Sequence, residues 1–204
     1  MATSPAKENI LKKIRQALSH PVPLPFPSSE GANSVFQPPV DDLEVLFAQE
    51  FTQLSGKFAF CTSEKDMVQQ LRQLITEKKW ANIYCPEDKW NETFSNTINL
   101  PGCNASITGC ECLVARTGSI VLSTAQQGGR TTSVYAPIHI CIAYTAQLVY
   151  DIKDALQLLK EKYARRLPSL FSFATGPSRT ADIEKTLVTG VHGPKEVYCF
   201  LVES

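Results

Sequence analysis

From Asp41 onward the apolar positions follow two alternating rhythms. Asp41 and Glu44 form a capping-box-like start, and Leu43, Leu46, Phe47, Glu50 and Leu54 complete an amphipathic helix that Gly56 is placed to stop. Lys57–Cys61 then reads as a short strand. Ser63 is a cap for a second helix, whose apolar face is Met67, Val68, Leu71, Leu74 and Ile75. A strand over 80–85 follows, and Pro86 begins a turn or short helix. Strand, helix and strand at this spacing make a βαβ unit, which predicts an α/β fold with a mostly parallel sheet flanked by helices.

Further along, the runs 112–115 and 120–123 flank Arg116-Thr117-Gly118-Ser119 and predict a hairpin or tight strand-to-strand turn. Residues 124–136 form a polar, glycine-containing loop, and 137–143 an apolar strand. Residues 147–150 lead into a helix capped by Asp151, with Ile152, Ala155, Leu156 and Leu159 as its buried face. A strand over 170–174, a helix over about 180–189 and a closing strand over 197–202 complete the pattern.

The first 39 residues are different. Ile10, Ile14, Ala17 and Leu18 share one face of a short helix over 5–19, with Lys7, Lys12, Lys13 and Arg15 solvated. Such a helix is too short to be stable alone and must dock on something. Pro21, Pro23, Pro25, Pro27, Pro38 and Pro39 then fix an extended strap or linker. The expected organisation is therefore an N-terminal helix and Pro-rich arm over 1–39 and an α/β domain over 40–204.

Composition narrows the function classes. The 204 residues are 43% hydrophobic and 20% charged, which suits a packed core rather than a disordered chain. Lys and Arg balance Asp and Glu at 20 each, so the basic footprint of a nucleic-acid binder is missing. No apolar run reaches the roughly 18 residues of a membrane span. The opening MATSPAKENI lacks a secretory apolar stretch, so the expected compartment is the cytoplasm.

Seven cysteines occur and no two are spaced C-x-x-C, which gives a zinc ribbon or an iron–sulfur cluster no support. Cys110 and Cys112 lie two residues apart, where a strand would return them to the same side. With no His nearby to complete a ligand set, the favoured reading is small buried hydrophobes, and no metal site is expected.

Three stretches carry candidate chemistry. The first is Thr175–Glu184, between a predicted strand and helix. Gly176 and Pro177 shape the turn, Ser178 or Thr180 can cap, Arg179 offers a bidentate donor to an anion, and Asp182 sits in the first helical turn. Helix capping and an Arg179 ion pair with Asp182 or Glu184 account for the same residues. The ends of parallel strands are where α/β folds bind ligands. The second stretch is Thr189–Pro194, where Gly190 suits a helix C-terminus and His192 lies in a loop between glycines, either as an acid, base or substrate donor or with a ring nitrogen tying down the turn. The third joins Arg116, Thr117 and Gly118 to Arg130 in the Gly128-Gly129-Arg130 loop. His139, between Ile138 and Ile140, reads as a satisfied core histidine. The dinucleotide fingerprint, the P-loop, the G-x-S-x-G elbow and the H-E-x-x-H pair are all missing.

Taken in order, Ala115-Arg-Thr-Gly-Ser-Ile-Val121, Pro137-Ile-His-Ile140, Gly176-Pro-Ser-Arg-Thr-Ala-Asp-Ile-Glu184 and Gly190-Val-His-Gly-Pro194 resemble the LUD domain family, in its lactate utilisation protein C branch, over roughly residues 40–204. The resemblance implies a fold like that of ribose-5-phosphate isomerase, glucosamine-6-phosphate deaminase and the CoA transferases. It also implies a role, with iron–sulfur partner proteins, in oxidising L-lactate to pyruvate. No cofactor is expected on this chain, since the clusters would belong to the partners. One departure stands out: the family pattern carries an acidic residue where this chain has Arg116.

On this reading Arg116, Thr117, Gly118, Arg130, Gly176, Ser178, Arg179 and Thr180 line a site for a small anionic metabolite. His192 would move a proton, and Asp182 would orient Arg179 or the helix start. Two rivals remain: an independent enzyme on a sugar phosphate or acyl-CoA, and a non-catalytic scaffold subunit. A homo-oligomer fits any of the three.

Overall fold

The computed structural model describes residues 5–19, 41–129, 131–164, 166–180 and 188–204. The chain divides into two units, Met1–Pro38 and Pro39–Ser204. In the first, α1 (Pro5–Leu18) begins on a proline, which fits a first helical turn, and carries Glu8 near its start and Arg15 near its end, both favourable to the helix dipole.

The second unit opens with α2 (Leu43–Gln53). Its cap is Asp42 rather than Asp41, and no side chain bonds the cap. The helix ends as Ser55 turns left-handed (φ 67°) and the Gly56 N–H returns to the Phe51 carbonyl at 2.9 Å. Then come β1 (Lys57–Cys61) and α3 (Glu64–Lys78), capped by Ser63 Oγ accepting from the Asp66 N–H. β2 (Ile83–Tyr84) is shorter than the predicted 80–85. The reason is that the N–H groups of Ala81 and Asn82 both donate to the Asn104 side chain instead of a ladder. α4 (Asp88–Phe94) and β3 (Ala105–Thr108) follow.

The predicted hairpin is present as β4 (Cys112–Val114) and β5 (Ser119–Ser123), antiparallel with Leu113 opposite Ile120. Next are α5 (Thr132–Tyr135), β6 (Ile138–Tyr144), β7 (Leu148–Val149), α6 (Ile152–Tyr163) and β8 (Phe171–Ala174). The short β9 (Arg179–Thr180) and β10 (Val188–Thr189) pair antiparallel, and β11 (Glu196–Val202) closes the chain. The helix predicted over about 180–189 is thus replaced by strand at Thr180, Val188 and Thr189. Residues 181–187 lie outside the described residues.

A five-stranded sheet in the order β1-β11-β6-β3-β2 is parallel throughout. The strands of the βαβ unit read from the sequence, β1 and β2, end up on its opposite edges. A second sheet, β7-β4-β5-β8, is mixed. The layers follow from side-chain alternation. Tyr198, Phe200 and Val202 of β11 join Ile140 and Ile142 of β6 and pack on Met67 and Leu71 of α3. The alternate residues, Val197, Cys199 and Leu201 with Cys141 and Ala143, meet Leu113, Ile120 and Leu122 of the second sheet and Phe47 and Phe51 of α2. The far face of the second sheet, Cys112, Val114 and Val121, rests on Ala155 and Leu159 of α6. A central strand buried on both faces reads as an unbroken apolar run, as Val197–Val202 does.

Two expectations change at this level. The buried face of α6 is Ala155, Leu158 and Leu159, while Ile152 and Leu156 are exposed. The stripe is rotated because the second sheet lies over the 155–159 diagonal. Cys110 and Cys112 do not share a side. Cys110 precedes β4 and lies between the sheets, whereas Cys112 faces α6. All seven cysteines are buried and reduced. Among the described residues no helix is long and apolar enough to cross a membrane, and no group of His, Cys, Asp or Glu is placed to hold a metal.

Candidate functional site

The two glycine-bearing loops near the C-terminus are tied to one another. The Ser178 N–H donates to the Pro194 carbonyl and the Gly190 N–H to the Ser178 carbonyl, both at 2.9 Å. The β9–β10 pairing sets Arg179 opposite Thr189. Gly190 therefore follows a strand rather than ending a helix. Gly176 makes the bend: its φ is 133°, and a side chain there would place Cβ 2.7 Å from the Leu54 carbonyl oxygen.

Between these loops and the two sheets lies a cleft of about 150 Å³, lined by Gly176, Ser178, His192, Gly193 and Pro194 from the loops. Leu122, Ser172 and Ala174 of the second sheet, Ser133 and Val134 of α5, and His139 and Val197 of the parallel sheet complete its wall. His139 and Val197 stand near the first residues of β6 and β11, so the cleft sits where these strands begin. The usual ligand crevice of an α/β sheet lies at the opposite, carboxyl end.

His139 is both a core residue and a wall of this cleft. It is 1% exposed, and its Nε2 lies 2.8 Å from Thr108 Oγ1. Burial pushes its pKa down to about 4, which keeps the imidazole neutral near pH 7. Its register partner Ser106 donates to the Thr132 carbonyl at 2.6 Å.

The other site residues named from the sequence lie elsewhere. Arg179 donates through Nη2 to the Leu54 carbonyl at 2.8 Å and to Ser55 Oγ at 2.7 Å. Its Nη2 is thus engaged at the C-terminus of α2, where a cation also suits the dipole, and Arg179 does not line the cleft. Arg116 forms an ion pair with Asp151, Nε to Oδ2 at 2.5 Å, and this bond holds the Asp151 carboxyl below its usual range. Asp151 in turn caps α6. Thr117 bonds Ser119 across their hydroxyls at 2.7 Å. Gly118, at φ 58°, would bring a Cβ within 2.5 Å of the Phe51 backbone nitrogen. The Arg116–Gly118 turn is therefore a bracket between α2 and α6. Thr180 lies in β9 and does not line the cleft. Arg130 and Asp182 lie outside the described residues.

Sequence reasoning missed a buried carboxylate. Glu111 is 5% exposed and accepts from Lys162 Nζ and Tyr163 Oη, each at 2.7 Å, and from Ser123 Oγ. Burial pushes its pKa up, but the Lys162, Ser123 and Tyr163 hydrogen bonds outweigh this and leave it lowered. The signal was a lone Glu inside the apolar run 110–114, a charge that burial obliges to find partners.

A family model described as the LUD domain matches residues 95–202, more than half of the chain. The chain belongs to the LUD domain family. The matched LUD region runs from before β3 to the end of β11 and so holds the whole wall of the cleft. Among relatives, an uncharacterized protein of Neisseria meningitidis serogroup B is 32% identical over 111 residues, 54% of this chain and 45% of that protein. Proteins named lactate utilization protein C from Bacillus licheniformis and Bacillus subtilis are each 32% identical over 65% of this chain, covering 57% and 56% of their own length. The match thus spans about half the length of these relatives. The crystal structure of a DUF162 family protein from Deinococcus radiodurans superposes with a TM-score of 0.57 at 17% identity, covering 78% of this chain and 96% of that one. That likeness shows the fold.

Proposed function

We propose that this LUD domain serves lactate utilisation and binds a small 2-hydroxy or 2-oxo acid in the cleft between the Gly176–Ser178 and Gly190–Pro194 loops. The observation that carries this reading is the union of the two loops, which share backbone hydrogen bonds around a cavity with His192 at its rim. Relatives named for lactate utilization support the choice of acid. The cavity volume, about 150 Å³, suits a three- or four-carbon acid. In this reading His192 is the group that exchanges a proton with the ligand, and Ser178 is a donor to it. The chain works in the cytoplasm beside iron–sulfur partner proteins, which carry the redox centres.

Calorimetric titration of the full chain with L-lactate and with pyruvate tests the ligand. Saturable binding that weakens at least tenfold in His192→Ala is the expected result. No heat from either acid at millimolar concentration overturns it.

A further inference from the structure

We infer that His139 is the residue that reads the oxygen on carbon 2 of the acid: the ligand lies with that oxygen on His139 Nδ1 at the cleft floor and its carboxylate at the mouth, beside His192 and Ser178. This rests on the cleft being the ligand site.

The argument starts from where the imidazole is held. His139 is the second residue of β6, is almost wholly buried, and still forms part of the cleft wall. Thr108 on the neighbouring strand occupies Nε2 and fixes the ring plane. Ser106, beside it in register, is already committed to the Thr132 carbonyl. Among the described residues nothing bonds Nδ1, and it is the ring nitrogen left to a ligand.

The ring's charge state sets the ligand's orientation. Burial keeps the imidazole neutral, with a pKa of about 4, so it offers a hydrogen bond without a counter-charge. A carboxylate pushed to the floor would be a buried and unpaired charge, which is costly. A hydroxyl or keto oxygen carries no such penalty. At the mouth His192 is exposed and Ser178 lies alongside it, so a carboxylate there keeps contact with donors and with water. Leu122 and Val197 provide an apolar wall for the carbon chain.

The Thr108 hydroxyl adds a further property. It can donate to Nε2 or accept from it. When it donates, Nδ1 carries the hydrogen and can serve a keto oxygen. When it accepts, Nδ1 is bare and can serve a hydroxyl. One histidine can thus read both the 2-hydroxy and the 2-oxo acid without changing its charge.

The test compares L-lactate and pyruvate with propionate, which lacks the 2-oxygen, by titrating the full chain. Wild type, His139→Gln and His139→Asn are measured. Gln reaches the place of Nε2 and keeps Thr108, while Asn reaches the place of Nδ1. In wild type the two substituted acids bind about tenfold more tightly than propionate, the size of one hydrogen bond. His139→Gln abolishes that ratio, and His139→Asn keeps part of it. A wild-type ratio in His139→Gln, or equal binding of propionate by wild type, overturns the inference while leaving the cleft as a binding site. No binding of any of the three acids removes the proposed ligand and this inference together. If His139→Gln fails to melt cooperatively, nitrogen NMR of wild type labelled in histidine decides: L-lactate shifts Nδ1 of His139 more than Nε2, and an unmoved Nδ1 counts against the inference.

Discussion

Two loops of this chain present the same chemistry on paper. Arg116-Thr117-Gly118-Ser119 and Gly176-Pro177-Ser178-Arg179-Thr180 each set an arginine among a glycine and hydroxyls, the make-up of an anion site. In the fold both arginines are used internally, Arg116 on Asp151 and Arg179 on the end of α2. The second loop borders the cleft, and it does so through Gly176 and Ser178 rather than through its arginine. A cation in a loop takes whatever carbonyl or carboxylate the fold leaves unpaired nearby. Helix ends leave several of these groups each.

The comparison breaks most sharply at Gly118. Its left-handed φ costs a side chain about 1–2 kcal/mol, and the Cβ contact with the Phe51 backbone adds overpacking of about 1–3 kcal/mol. Gly118→Val should therefore lose about 4 kcal/mol in chemical denaturation. Gly129, at the same φ of 58° with nothing within 4 Å of its would-be Cβ, should lose only the conformational part, about 1–2 kcal/mol, on the same change. Equal losses at the two positions would show that the Arg116–Gly118 turn does not bear on α2.

The cleft has its own signature in the pH dependence of stability. His139 has a folded pKa of about 4, below the unfolded value of about 6.5. The unfolded chain then binds more protons between those values. Stability from this residue is full above about pH 6.5 and falls as the pH drops towards about 4, by on the order of 3 kcal/mol. Urea midpoints from pH 7.5 to 4.5 should show that slope, and His139→Gln should flatten it. Glu111 adds loss of the same sign at lower pH, since its lowered pKa makes its stabilising charge vanish only below the usual carboxylate range.

How much of this was legible in the sequence depended on whether the deciding neighbour was local. The α3 cap at Ser63, the hairpin around Arg116–Ser119 and the α6 cap at Asp151 were readable because each is settled within a few residues. The fate of the two arginines depends on partners 35 and 125 residues away, and the order of the parallel strands and the rotated face of α6 likewise rest on partners outside the local sequence. Of the site, the loop pair around Ser178 and His192 was visible from its glycines. His139 was readable only as a core histidine, because its place in the cleft wall is set by Leu122 and Val197 on other strands. At the two ends of the helix expected over 180–189, Thr180 and Val188 pair as a ladder, which local propensity does not register.

A smaller effect separates the two roles of Asp151, which pairs with Arg116 and caps α6. Asp151→Ala removes both and should cost about 1 kcal/mol, the size of a lost cap. Asp151→Ser retains a capping oxygen without the charge. Recovery of most of the loss would show that the half-exposed ion pair adds little, as surface pairs usually do.

The smallest expected change is at Arg179. Its two hydrogen bonds to Leu54 and Ser55 are exposed, so Arg179→Ala should lower stability by about 1 kcal/mol or less. Its consequence for function is the sharper measure. If the guanidinium only fastens the loop to α2, the affinity for pyruvate should stay within about twofold of wild type, whereas His192→Ala weakens it. Arg179→Lys should bond one of the two oxygens and recover part of the stability, since lysine lacks the planar fork. A large loss of pyruvate affinity in Arg179→Ala, restored in neither stability nor binding by lysine, would move the arginine back into the site. The two loops would then differ in function rather than only in position.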